Sequence, residues 1–354
     1  MKKVITLLLS MVLILGVLSA CGKEKPETSQ APEASKPAES AAVTEGTAKT
    51  GFAVISSIEK SKAPTGADAG LAQADSLVVA VLVGEDGKIL ACDIDAAQTK
   101  INFSAEGKIL TDKATTFKSK QDLGTEYGMG KASGIGKEWN EQANAFAAYV
   151  IGKTVDEVKG IAVNEEGAPT GADLASSVTI KIGDFIKAVE KAVTNAKDLG
   201  AKSTDNLGLA VATDIAKSKD ATAEEAGLAQ AYSTYAAVTT DTDGKITSCY
   251  LDGSQSNVNF DAKGVITSDL TAAPKTKQEL GYDYGMKKAS GIGKEWFEEA
   301  DAFAAYVKGK TASEVKGIAV DTEGKATDAD LISSVTVRVS PLIAIVEKAA
   351  TNAN

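Results

Sequence analysis

Asp173-Leu174-Ala175-Ser176-Ser177-Val178-Thr179 recurs as Asp330-Leu331-Ile332-Ser333-Ser334-Val335-Thr336, 157 positions later. Outward from this pair the offset holds without a gap, so that Gly51 to Lys197 aligns with Gly208 to Asn354. Asp86-Gly87-Lys88-Ile89 pairs with Asp243-Gly244-Lys245-Ile246. Gly134-Ile135-Gly136-Lys137-Glu138-Trp139 pairs with Gly291-Ile292-Gly293-Lys294-Glu295-Trp296. A period this long signals a duplicated domain rather than a solenoid. The expectation is one domain over 51–197, a short polar linker over 198–207, and a second domain over 208–354.

Each repeat reads as α+β, an antiparallel sheet with packed helices. Leu77 to Val83 and Lys88 to Asp95 are strand-like, and Asp86-Gly87 between them is a hairpin signal. A third strand is expected near Ile101 to Phe103, with a turn at Glu106-Gly107. Trp139, Ala143, Phe146, Ala147 and Val150 share one helical face. Thr154-Val155-Asp156-Glu157 carries a capping-box signature, repeated at Thr311 to Glu314, and Gly160 suits the end of that helix. The β-branched run through Val335-Thr336-Val337-Arg338-Val339 predicts a strand. A last helix follows, with Ser340 as its cap and Pro341 in its first turn.

Composition narrows the function. The net charge is −10 over 354 residues, which argues against a nucleic-acid partner, since phosphate binding needs a basic surface. Histidine is absent, which removes the usual general base, the commonest metal ligand and c-type haem attachment. Cys92 and Cys249 occupy equivalent positions, and burial on a strand is favoured over a disulfide between them.

Met1-Lys2-Lys3, the apolar Val4 to Leu18, and Leu18-Ser19-Ala20-Cys21 resemble a bacterial lipoprotein signal. That resemblance implies removal of residues 1–20, lipidation of Cys21, and placement on the outer face of the cytoplasmic membrane. Residues 21–50, rich in Glu, Lys, Pro, Ala, Ser and Thr, read as a disordered tether.

Two stretches in each repeat carry candidate chemistry. One is the Asp-x-x-Ser-Ser-Val-Thr run. The other is Gly134-Ile135-Gly136 before the tryptophan helix, with Tyr127-Gly128-Met129 upstream. Glycines at a helix start let backbone approach an anionic ligand, and they also make ordinary tight turns. Together the two stretches resemble the FMN-binding domain family. The lipoprotein signal, tether and tandem arrangement are similar to its two-domain flavinylated lipoproteins of Gram-positive extracellular electron transfer, some of which are also described as pheromone-encoding. This family carries Asp-x-x-Ser-Gly-Ala-Thr, whose last threonine receives FMN through a phosphoester bond made by a flavin transferase from FAD. Here Ser-Val replaces Gly-Ala, and the His-x-Glu-Thr stretch often found before the glycine turn is missing.

The resemblance implies two covalent FMN groups, on Thr179 and Thr336. Asp173 with Ser176, and Asp330 with Ser333, match the other fixed positions of the motif. Gly134, Gly136, Gly291 and Gly293 match the turn. Tyr127, Tyr284, Trp139 and Trp296 are candidates for contact with the flavin ring, the tryptophans equally for core packing. The implied function is an electron carrier rather than a self-contained enzyme. It would relay electrons from a membrane quinone-linked dehydrogenase or flavoprotein to ferric iron, soluble flavin or another extracellular acceptor. The alternative is a non-redox ligand-binding surface lipoprotein, with the signal peptide a source of a pheromone under either reading.

Overall fold

Leu77 to Val83 is apolar at every position but carries no helical period, the pattern of a strand buried on both faces. In the computed structural model, which describes residues 46–353, this run lies in the middle strand of a sheet. That sheet is antiparallel, in the order β1 (Ala48–Ser57), β2 (Gly70–Gly84), β3 (Ile89–Phe103). The β2–β3 hairpin turns at Asp86-Gly87 as expected, with Gly87 at φ 77° and its N–H donating to Gly84 O. The second repeat builds the same meander from β5 (Asn206–Asp214), β6 (Gly227–Thr240) and β7 (Ile246–Phe260). A two-residue strand of the first repeat, β4 (Thr116–Phe117), pairs with β5 and extends this sheet to four strands. The expected third strand at Ile101 to Phe103 is the far end of β3, which runs through its fifteen residues unbroken.

Both faces of each sheet are covered, by different partners. Ala53, Val79 and Val81 point to α2 (Trp139–Val150) and α5 (Gly183–Thr194). Their neighbours Phe52, Val54, Val78 and Ala80 point instead to Leu209, Val211, Tyr235 and Ala237 of the other sheet. The period-2 alternation of a strand therefore divides one apolar run between a helical layer and a sheet-on-sheet core. A second shared cluster stacks Phe103 on Phe260 with ring centroids 4.4 Å apart. Small residues keep the sheets close, as in the 2.6 Å hydrogen bond between Thr50 Oγ1 and Ser248 Oγ. In the second repeat α7 (Trp296–Tyr306) and α10 (Ser340–Asn352) cover the outer face.

The α+β class is thus observed, with the two repeats packed into one compact unit. The segment between them contributes to that packing: Ala201 and Asp205 are buried, and β5 begins at Asn206. Cys92 and Cys249 are buried free thiols on β3 and β7. The expected leader, the lipidated Cys21 and most of the tether lie outside the described residues. Among the described residues no helix is long and apolar enough to cross a membrane.

Six short helices, three in each repeat, set the loops around the threonine runs. These are α1 (Lys120–Leu123), α3 (Val155–Lys159), α4 (Ala172–Ala175) and their second-repeat equivalents α6 (Lys277–Leu280), α8 (Ala312–Lys316) and α9 (Ala329–Ile332). The capping boxes at Thr154 and Thr311 form as read, each threonine accepting from the N–H of the glutamate three residues on. Val339, rather than Ser340, stands at the N-cap of α10; Pro341 is in the first turn.

Candidate functional site

The Asp-x-x-Ser-Ser-Val-Thr run does not form the strand its β-branched residues suggest. Its first half is the single turn of α4 or α9, and its second half is an irregular segment leading into the last helix. Strand pairing fails because a side chain takes the place of a neighbouring strand. Gln142 Oε1 accepts from the Thr179 N–H at 2.8 Å and the Ile180 N–H at 3.2 Å. Val178 and Ile182 are fully buried below, so the run is pinned from its inner side. The valine that replaces alanine in the motif points into this core and leaves the neighbouring threonine free to face outward.

Thr179 is exposed, and its hydroxyl donates to the same Gln142 Oε1 at 3.3 Å. Gln142 is itself fully buried on α2, with Nε2 donating to Ser133 Oγ and Lys137 O, both at 3.1 Å. One carboxamide therefore ties the threonine run to the glycine turn that sequence reading had placed as a separate element. In the second repeat the position is Glu299, also fully buried. Its carboxylate accepts from the Thr336 N–H at 2.7 Å, the Val337 N–H at 2.9 Å and Ser290 Oγ at 2.8 Å. The Thr336 hydroxyl donates to it at 3.0 and 3.2 Å. Gln142 and Glu299 thus join each threonine run to residues flanking the Gly134–Gly136 and Gly291–Gly293 turns.

The turns have the local geometry their glycines allow. Gly136 and Gly293 take φ of 68° and 67°, where a side chain is strained. Gly134 and Gly291 have ordinary φ, and a Cβ on either would meet open space. Glu138 and Glu295 cap α2 and α7 and also accept the N–H groups of Met129 and Met286, both at 2.8 Å, which holds the Tyr-Gly-Met segments against the helix starts.

An open cleft of about 450 Å³, a size usual for cofactor and ligand sites, is lined by Lys181, two positions after Thr179, while Thr179 itself and the Gly134–Gly136 turn are not among its lining residues. Trp139 and Phe185 give it aromatic walls, packed edge to face at 5.9 Å; Lys120, Lys181 and Asp75 give it charge. Trp139 packs in the core, 6% exposed, and one side of it forms part of the cleft wall. Tyr127 packs against the same core and reaches the cleft through Lys120, whose ammonium lies 4.6 Å from the Tyr127 ring and 5.0 Å from the Trp139 ring.

The second repeat is arranged differently at this point. Tyr232 stands where the first repeat has Asp75, and Lys277 stands for Lys120. Lys277 is buried among the rings of Tyr232, Trp296 and Tyr284 at 4.5, 4.7 and 4.8 Å, and donates to Tyr232 Oη at 2.6 Å. Burial pushes its ammonium down to about 8, against a smaller upward pull from Asp252.

Asp173, Ser176, Asp330 and Ser333 do not reach the threonine. They are exposed on α4 and α9, where Ser176 and Ser333 donate back to the Asp173 and Asp330 carbonyls at 3.3 and 2.8 Å. Gln142, Glu299, Lys120 and Lys277 were missed in the sequence. A signal existed for the first two: a polar residue three positions after the tryptophan, on an otherwise apolar helical face, must be hydrogen-bonded when buried.

The residues present are compatible with an FMN esterified to threonine: a hydroxyl on an exposed Thr179, a nearby cleft with aromatic walls for a flat ring, three lysines beside three carboxylates in that cleft, and glycine backbone with space before it. Among the described residues no cluster of three or more cysteine, aspartate or glutamate side chains is placed to hold a metal ion. No family model matches the chain, and no solved structure matches it. A stretch of 42 residues, 12% of the chain, is 48% identical to a chlorophenol reductase of Desulfitobacterium hafniense, and covers 13% of that protein.

Proposed function

We propose that the chain is an electron carrier with FMN esterified to Thr179 and Thr336, one in each of two FMN-binding-like domains. The observation that supports this reading is that a fully buried side chain of the glycine-turn helix holds the hydroxyl of an exposed Thr179 and of a half-buried Thr336 in the same way in both repeats. When bound, the flavin supplies one- and two-electron redox chemistry that no side chain of this chain offers.

The protein's own residues do the rest. Trp139 and Phe185 exclude water from one face of the first cleft, and Lys120 and Lys181 offer cations there beside the carboxylates of Glu59, Asp75 and Asp184. Ester attachment keeps the group on the protein outside the cell, where a dissociated cofactor would be lost. Lipidation at Cys21 would hold the carrier on the outer face of the cytoplasmic membrane. Its partners there would be a flavin transferase for maturation, a quinone-linked dehydrogenase or flavoprotein as donor, and ferric iron or soluble flavin as acceptor.

The test is denaturing electrophoresis of the membrane-derived protein under ultraviolet light, with mass analysis of the fluorescent peptides. Fluorescence is expected on the peptides containing Thr179 and Thr336 and is lost in the Thr179→Ala/Thr336→Ala double variant. A fluorescent double variant, or a dark wild type from cells with an active transferase, would remove the covalent mechanism. In the dark case the cleft beside Trp139 favours the second reading, a non-redox ligand-binding lipoprotein.

A further inference from the structure

Gln142 and Glu299 occupy one helix position in the two repeats and make the same contacts to the threonine run, but their chemistry differs. Both are fully buried, both receive the threonine N–H, the following N–H and the threonine hydroxyl. A carboxylate can take a proton from that hydroxyl, and a carboxamide cannot. An unaided threonine hydroxyl is a poor nucleophile, and a positioned base within hydrogen-bond reach is the usual remedy. Glu299 is within that reach, at 3.0 and 3.2 Å from Thr336 Oγ1.

We propose that Glu299 accepts the Thr336 hydroxyl proton as the phosphoester forms, and that Thr336 is therefore modified faster than Thr179. The inference rests on the proposed function and concerns how its two sites are filled. The Thr336 O–H bond breaks and its proton passes to the Glu299 carboxylate. The oxygen forms a bond to the FMN phosphorus of FAD, the pyrophosphate bridge breaks, and AMP leaves with the bridging oxygen. No electron is transferred to or from any group. At Thr179 the Gln142 carboxamide orients the hydroxyl but leaves its proton to solvent or to the transferase. A hydroxyl that donates to both oxygens of one buried carboxylate, with Ser290 Oγ and two backbone N–H groups fixing that carboxylate, is an arrangement the first repeat cannot reproduce.

The experiment uses the full chain produced without flavin transferase, then incubated with the purified transferase, FAD and magnesium. Mass analysis of the two threonine peptides gives a rate for each site across pH 6 to 9. Positioned bases typically contribute about 10²–10⁴-fold, and with the transferase sharing the task roughly tenfold or more is expected here. Thr336 should load faster than Thr179 in the wild type. Glu299→Gln should slow Thr336 to near the Thr179 rate and alter its pH profile, while Gln142→Glu should accelerate Thr179. Glu299→Gln copies the arrangement already present in the first repeat, so the loop remains held, and an unchanged melting temperature verifies this. Equal wild-type rates, or a Thr336 rate and pH profile indifferent to Glu299→Gln, would overturn the role of the carboxylate while leaving flavin attachment standing. If neither wild-type threonine gains the FMN mass, the proposed function itself fails and this inference with it.

Discussion

Replacing Gln142 by leucine isolates what holds the first threonine outward. The side chains have similar volume, and the site is fully buried, so the core stays filled. What disappears is one acceptor serving the N–H groups of Thr179 and Ile180, and two donor contacts to Ser133 Oγ and Lys137 O. Each buried polar group left unpaired costs about 1–3 kcal/mol. Thr179 is exposed, so water recovers part of its share, while Ile180 is only half-buried. A net loss of about 2–4 kcal/mol follows, confined first to residues 176–182. At about 1.4 kcal/mol per factor of ten, that raises local opening by roughly 30- to 700-fold. Native-state hydrogen exchange on the amides of Thr179 and Ile180 reads it directly, with Val79 and Val81 in the middle of β2 as internal controls. If the Thr179 and Ile180 amides keep wild-type protection in Gln142→Leu while the β2 amides are also unchanged, Gln142 does not anchor the run, and the reasoning from a side chain replacing a strand is wrong.

Three other outcomes are expected. Gly51→Ala and Gly208→Ala would each place a Cβ 2.2 and 2.1 Å from the carbonyl oxygens of Ala192 and Ala349, so the covering helix must shift; a loss of about 3 kcal/mol or more in urea unfolding is expected, and a change below about 1 kcal/mol would contradict the close helix–strand packing. Burial lifts the Asp252 carboxyl to about 7, above its unfolded value, so the stabilising effect of its protonation is complete below pH 4 and lost as pH rises to about 7 and beyond. Asp252→Asn, which keeps an oxygen for the Gly253 and Gln278 N–H groups, should therefore flatten the fall of the urea midpoint between pH 4.5 and 8, with Asp93 and Asp95 leaving a remainder; a lower midpoint for the variant at pH 8 would refute this. Burial also raises both strand thiols, that of Cys249 to about 12, so a thiol reagent at pH 8 should label Cys92 and Cys249 only after unfolding, as read by peptide mass; labelling of the native chain would place them at the surface.

The sequence made the duplication, the β2–β3 hairpin, the tryptophan helices and the capping boxes legible because each depends on local spacing. It did not reveal β1, whose Ala48–Ser57 stretch mixes Lys, Thr, Gly and Ser with its apolar residues. The small residues there are what let α5 and the opposite sheet approach, a tertiary requirement invisible to a local pattern. The threonine run misled for a related reason. Its β-branched residues satisfy strand propensity, yet their hydrogen bonds end on a side chain 37 positions earlier in the chain. The site's threonines and glycines were recognisable as motif positions. The glutamine and glutamate that join them were not, because their role depends on the burial of a whole helical face.

The same limit applies to the relation between repeats. Lys191 on α5 pairs with Glu279 on α6 at 2.5 Å, and Lys348 on α10 pairs with Asp122 on α1 at 2.5 Å. Each pair joins equivalent positions of opposite repeats, the reciprocity expected of two like units meeting through matching surfaces. The lysines also donate to carbonyls of β1 and β5, Val54 O at 2.6 Å and Val211 O at 3.1 Å. As partly exposed ion pairs they add little stability. Their importance is where they act, because α1 and α6 carry Lys120 and Lys277. The last helix of each repeat therefore grips the short helix that places a lysine against the aromatic wall of the other. A duplication that only multiplied modules would leave each lysine–aromatic cluster complete within its own repeat. Here the lysine–aromatic cluster of each repeat is braced from the other, so the two share one scaffold even though Asp75 and Tyr232, and Gln142 and Glu299, make them chemically unequal.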